Sequence, residues 1–148
     1  MIKWHYEKRV KAITKHYMQR RKRMDLSTEE ARMWVSKLTE TGVMHEGEQI
    51  IEHVKGDFWE FGAQVRGHYL FTEEAVVFVG GINGAAQWRV DYKSIQEVNK
   101  KNIKLIICTG IAIKYINEKG KLKKKVLSIL KRNDWIEFIS KRLSGNTQ

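Results

Sequence analysis

Between residues 48 and 130 the sequence keeps to one pattern. It consists of short stretches rich in β-branched and aromatic residues, each bounded by turn residues, and a single capped amphipathic helix follows them. Seven such stretches are predicted as strands, at 48–59, 66–72, 75–79, 87–92, 103–108, 111–116 and 123–130. In 87–92, Trp88, Val90 and Tyr92 alternate with Arg89 and Asp91, the period-two signature of a strand with one buried face. The stretch 75–79 is apolar at every position, which predicts burial on both faces. Gly80, Gly81, Asn83 and Gly84 turn the chain between two strands, and Asn117 to Gly120 reads as a hairpin turn whose glycine supplies positive φ. Short strands at this spacing imply a closed or nearly closed antiparallel barrel or sandwich. The last element begins with a capping box, Asp134 with Glu137, and continues with Trp135, Phe138, Ile139, Arg142 and Leu143 at helical spacing. Its apolar side suits the open end of a small barrel.

The first 42 residues follow a different period. Tyr6, Val10, Ile13, Tyr17 and Met24 fall on one stripe of a helix over 4–23, with Lys8, Lys11, Lys15 and Lys22 on the opposite side. Such a helix can dock on the rest of the protein, lie on an anionic bilayer or track nucleic acid; docking is the commonest use of an amphipathic helix in a globular chain. Ser27 and Glu30 form a second capping box, Trp34, Val35 and Leu38 continue on one face, and Gly42 is a natural stop. The expected organisation is a two-helix extension at 1–42 and a barrel domain at 43–148, mainly β with helices.

Charge is distributed in blocks. Residues 1–24 carry nine basic and one acidic group, residues 25–97 six and thirteen, and residues 98–148 thirteen and three. The formal net charge of +11 therefore resides at the two ends, around a negative middle, and a polyanion would meet the ends. The equally weighted alternative is that the acidic middle pairs with the basic helix, within the fold or between subunits. The N-terminus alternates charged and apolar residues, unlike a signal peptide, and the uncharged run 75–88 falls short of the roughly 18–20 apolar residues of a spanning helix. Cys108 is the sole cysteine, which excludes an internal disulfide; within its apolar run it reads as a small buried hydrophobe. A cytoplasmic protein is expected, peripheral at the inner face of the membrane if it meets lipid.

Motifs for catalysis are not found. The glycines at 80–84 join two strands, whereas phosphate-cradling loops lead from a strand into a helix. His5, His16, His45, His53 and His68 show no metal-ligand spacing, and His45 with Glu46 and Glu48 reads as a solvated linker. No cofactor and no metal are expected, and the chain is not read as an enzyme. The strongest chemical feature is the lysine series Lys114, Lys119, Lys121, Lys123, Lys124 and Lys125, which could contact phosphates of lipid headgroups or nucleic acid. Its bland counterpart is a solvated sheet edge that uses lysine against strand-on-strand aggregation.

Over about 47–143 the order of elements resembles the pleckstrin-homology (PH) superfold, and within it the GRAM-type and bacterial PH-like domains. The resemblance is carried by Gly67, Tyr69, Leu70, Phe71 and Thr72, by the strand with Phe78, by Trp88 through Ile95 and Val98, and by the terminal helix with Trp135. It implies a seven-stranded antiparallel barrel capped by the C-terminal helix. It also implies a non-catalytic binding or scaffolding role toward an anionic phospholipid surface or a protein partner. PH domains that bind phosphoinositides carry a basic Lys-x-Arg-like motif on the first hairpin; here 60–67 offers only Arg66, and the lysines lie on the last two strands. The sites expected to meet a polyanion are therefore Lys114, Lys119, Lys121, Lys123, Lys124 and Lys125, joined by Lys8, Lys11 and Lys15. Two alternatives are a basic nucleic-acid-binding protein using the same groups, and a homo-oligomer formed through the Tyr6/Val10/Ile13/Tyr17 stripe.

Overall fold

A computed structural model describes residues 29–103 and 107–146. Helix α1 (Glu29–Glu40) is followed by strands β1 (Ile50–Glu60), β2 (Ala63–Thr72), β3 (Ala75–Gly80), β4 (Ala86–Asp91), β5 (Ile95–Ile103), β6 (Ile107–Ile116) and β7 (Leu122–Ser128). Helix α2 (Arg132–Asn146) closes the order. The strands form one antiparallel sheet in the order β4-β3-β2-β1-β7-β6-β5. The expected helix over 4–23, its aromatic stripe, Lys8, Lys11, Lys15 and the Ser27 cap lie outside the described residues.

The sheet curls so that both of its halves share one interior. Phe58, Tyr69, Phe71, Phe78, Val90, Ile95, Ile111, Ile113 and Leu127, drawn from all seven strands, meet in a single buried cluster with Trp135 and Ile139 of α2. The curling has a local cause. Gly56, Gly67 and Gly80 are aligned across β1, β2 and β3. A Cβ on Gly67 would stand 2.4 Å from the Val79 carbonyl and 2.7 Å from the Phe78 ring; one on Gly56 would stand 2.8 Å from the Tyr69 ring. The missing side chains let adjacent strands bend sharply, and the rings of Tyr69 and Phe78 fill the space above the glycines.

Helix α2 plugs one end, as its sequence implies. The Trp135 ring stacks on Phe71 at 4.7 Å, Phe138 meets both edge-on, and the Arg142 guanidinium lies 3.7 Å from the Phe138 ring centre. The helix packs on β5, β6 and the short 3-10 turn Tyr92–Ser94 that connects the two outermost strands. Tyr92, expected to end a strand, instead begins that turn, buried, with its hydroxyl donating to the Thr72 carbonyl at 2.9 Å.

Strand β3 is buried at all six positions because its outer face is covered too. Leu38 of α1 and Met44 after it pack on Leu70, Ala75, Val77 and Val79, with Trp34, Val43 and Ile50 around them. Each large side chain fully withdrawn from water there contributes about 1.5–3 kcal/mol.

One expected strand does not form as read. Of the stretch expected at 103–108, Ile103 ends β5, which starts at Ile95, and Cys108 belongs to β6. In β5, Ile95 and Val98 meet the core cluster and Ile103 is buried at the far end, with Gln96, Glu97, Asn99, Lys100, Lys101 and Asn102 interspersed. That polar composition, with a register shift after Ile95 and another after Lys101, hides the period-two signal. Residues 104–106 lie outside the described set.

Candidate functional site

The basic hairpin β6–β7 is built around Asn117. Its side-chain oxygen accepts the amides of Lys119 and Lys121 at 3.0 and 2.9 Å, its backbone pairs with Lys121 and Gly120, and Gly120 takes φ +74°. Alternation along β7 then divides the lysines between two faces. Lys125 opposes the buried Ile113 and points inward, and Lys123 opposes Tyr115. Lys124 opposes Lys114 on the outer face. The expected single patch is therefore three separate environments.

The inward environment holds Lys125. Its ammonium stands 5.1 Å from the Phe58 ring centre and 5.4 Å from that of Trp88, a cation on the faces of core aromatics. Burial lowers its pKa from the ordinary lysine value, against an opposing pull from Glu60. The second environment is an open cleft of about 550 Å³ between the β4–β5 connection and the hairpin, where Lys119, Lys121 and Lys123 face Asp91, Ser94 and Glu118. The third is the outer face, where Lys101 of β5 joins Lys114 and Lys124. Lys124 falls below the ordinary lysine value, first through a hydrogen bond from Lys101, then through desolvation and the charges of Lys101 and Lys114. Glu97 lies 3.4 Å from Lys114. Sequence reasoning missed Lys101 because β5 was not read as a strand; with β5 in place, Glu97, Asn99 and Lys101 fall on one face.

Beside this sheet rises the β1–β2 turn. Glu60 pairs with Ala63, so Phe61 and Gly62 form a two-residue turn with φ +51° and +75°, the type I′ signature. Phe61 is 100% exposed. The register of Trp59 on Val126 carries this tip alongside the lysines of β7. Arg66 is exposed on β2 behind it.

A further polar cluster corrects the expected linker. The Glu48 side chain is fully buried, taking hydrogen bonds from Arg89 at 2.5 Å, from the Thr72 hydroxyl and from the His45 amide at 2.9 Å. Arg89 also donates to Asp91 at 2.7 Å and Glu74 at 3.2 Å. His45, Glu48 and Glu74 lie within 4.8 Å of one another. The Arg89 guanidinium already supplies their positive charge, so the cluster ties the 43–48 loop to β4 rather than offering a cation seat. Cys108, expected to be buried, is exposed, because it opens β6 at the end of the barrel rather than occupying a central strand position.

No family model matches the sequence, and no curated protein does. Solved structures do match in fold. The C-terminal domain of an unknown protein from Leishmania infantum aligns with 75% of this chain and 94% of its own, at 15% identity and TM-score 0.59. A complex of human RhoA with the DH/PH fragment of PDZRHOGEF aligns over 78% of this chain at 12% identity and TM-score 0.53. A second complex, of PDZ-RhoGEF DH/PH domains with GTP-gamma-S activated RhoA, does so over 88% at 10% and 0.54. This chain spans about a third of the length of those two chains. The likeness includes chains that contain PH domains, and at these identities it concerns fold alone.

Proposed function

We propose that this PH-like domain is a non-catalytic module that attaches to an anionic membrane surface by the Phe61 tip and the basic hairpin beside it. The observation that carries the reading is Phe61 itself. A non-glycine residue with positive φ costs roughly 1–2 kcal/mol, and a fully exposed phenyl ring recovers nothing from burial within the fold. Asparagine or glycine would serve the turn better. Inserted below the headgroups, the ring would gain about 2 kcal/mol, and each lysine near the surface about 1 kcal/mol. Lys119, Lys121 and Lys123 are the groups placed to contribute, at the inner face of a cytoplasmic membrane.

The experiment is co-sedimentation with phosphatidylcholine vesicles, with and without phosphatidylserine, across a salt series and with duplex DNA as competitor. Binding should require the anionic lipid, survive the DNA and weaken about ten-fold in Phe61→Ala with the melting temperature unchanged. Loss of binding to DNA competition would favour the nucleic-acid alternative. Equal binding by Phe61→Ala would remove the tip from the mechanism.

A further inference from the structure

We infer that the cleft between the β4–β5 connection and the β6–β7 hairpin selects an anionic headgroup that also bears an ammonium, the phosphoserine of a lipid, over headgroups that carry negative charge alone. The inference rests on the membrane attachment proposed above and names the lipid that this attachment prefers.

The two sides of this cleft, of about 550 Å³, differ in charge. On the hairpin side stand Lys119, Lys121 and Lys123, with Glu118 as the carboxylate among them. The Asn117 side-chain oxygen is committed to the Lys119 and Lys121 amides, which fixes the turn and leaves Asn117 only N–H groups to offer a ligand. That side favours an anion.

On the other side stand Asp91 and Ser94. Arg89 donates to Asp91 at 2.7 Å, but the same guanidinium also answers Glu48 and Glu74. One cation bridging three carboxylates does not neutralise them, and Asp91, its side chain 35% exposed, brings the excess to the cleft. Lys93 lines the neighbouring cleft, where Glu73 and Glu74 share its charge. The Ser94 hydroxyl donates to the Asp91 carbonyl at 2.8 Å, so toward a ligand its oxygen is an acceptor. This side favours a cation.

A ligand that suits both sides carries an ammonium at one end and anions at the other. Phosphoserine has that layout: its ammonium meets Asp91 and Ser94, while its phosphate and carboxylate meet the lysines. A headgroup with negative charge alone satisfies the hairpin but sets an anion against Asp91, and that repulsion supplies the selectivity.

The test is co-sedimentation of the full chain with phosphatidylcholine vesicles that hold equal fractions of phosphatidylserine or of phosphatidylglycerol, two lipids of the same net charge. Phosphatidylserine should bind about five-fold tighter, as one partly exposed ion pair allows. Asp91→Asn keeps an oxygen for Arg89 and should lose that preference, while its affinity for phosphatidylglycerol stays equal or rises. Equal binding of the two lipids by the wild type, or a preference that survives in Asp91→Asn, would overturn the inference and leave the membrane attachment standing. Glycerophosphoserine in solution gives a readout that needs no variant. It should displace the protein from phosphatidylserine vesicles better than glycerol 3-phosphate does at equal ionic strength, and an equal effect of the two compounds would also overturn the inference. Binding to neither kind of vesicle removes the membrane attachment. A melting temperature raised by glycerophosphoserine would then assign the cleft to a soluble ester of the same chemistry, and an unchanged one would remove the inference as well.

Discussion

Lys125 of β7 holds its ammonium 5.1 Å above the ring of Phe58, inside the aromatic end of the barrel. Its neighbours Lys124 and Lys123, one residue and two residues before it, face other surroundings. A lysine in that position is part of the core with a charged end, its stem buried and its head on the ring faces.

Substitution at Lys125 should therefore register as stability. Lys125→Met keeps the stem, gives up a cation–π contact and removes a desolvation cost, so its unfolding free energy should stay within about 1 kcal/mol of the wild type. Lys125→Glu sets a carboxylate against the negative faces of Phe58 and Trp88 and should cost about 2 kcal/mol. Urea denaturation decides it: equal midpoints for the two variants would mean that Lys125 is a solvated surface group. Charge reversal aimed at membrane binding is consequently better made at Lys119, Lys121 and Lys123.

The Glu48–Arg89 pair gives an acid-sensitive joint. Desolvation pushes the Glu48 pKa up, but hydrogen bonds from Arg89, Thr72 and the His45 amide, with the Arg89 charge, outweigh it and leave it below the ordinary glutamate value. The unfolded chain then binds the proton more readily than the folded one. The contribution is fully present above about pH 4.5 and is lost as pH falls through the lower, folded value. Glu48→Ala leaves Arg89 its bonds to Asp91 and Glu74 but takes the acceptor from the Thr72 hydroxyl and the His45 amide, and should cost about 2 kcal/mol at neutral pH. The difference between wild type and Glu48→Gln should shrink as pH drops below 4.5 in denaturant titrations. A difference independent of pH would show that the carboxylate charge plays no part.

Beyond the Leu38 contacts, helix α1 meets the turn after β3 at one crowded point. A Cβ on Gly84 would lie 2.2 Å from the Trp34 ring, and Gly84 has φ +69°. Beside it the Lys37 ammonium donates to the Asn83 carbonyl. Gly84→Ala should expel Trp34 and cost about 2 kcal/mol, with greater exposure of a tryptophan to a soluble quencher. Trp34→Ala should produce a similar loss, and the double variant should lose less than the two single losses added together. Simple additivity would deny the contact.

Legibility followed sequence distance. Burial of Ala75, Val77 and Val79 on one face and of Val76 and Phe78 on the other was visible locally, since each position reports its own hydrophobicity. Trp135 likewise announced its role, because an indole on the apolar side of a terminal helix needs a surface to cover. The partnership of Glu48 with Arg89 was hidden, the two being 41 residues apart and each ordinary in its own neighbourhood. The lysines fell between these cases. Their alternation along β7 was in the sequence, but which parity faces inward is fixed only by the ladder that sets Lys125 against Ile113 and Lys124 against Lys114. Lys101 escaped notice because the polar run of β5 disguised a strand.

The glycine row gives the sharpest contrast between two residues of one type. Gly67 lies between Gly56 and Gly80 in the ladder, and a methyl group there would press on backbone, the Val79 carbonyl at 2.4 Å and the Gly80 Cα at 2.7 Å. Neither atom can rotate away, so Gly67→Ala requires the strands to separate where the sheet bends most. That should cost about 3 kcal/mol and loosen the Tyr69–Phe78 contact, whose ring centres are 5.0 Å apart. Gly62, at the β1–β2 turn, has φ +75° and open space around it. Gly62→Asn keeps a residue that tolerates the left-handed region and should cost less than about 1 kcal/mol. Urea midpoints of the two variants give the comparison. If Gly67→Ala proved as mild as Gly62→Asn, the barrel would bend by some means other than close approach at the glycines, and the alignment of Gly56, Gly67 and Gly80 would have no structural consequence.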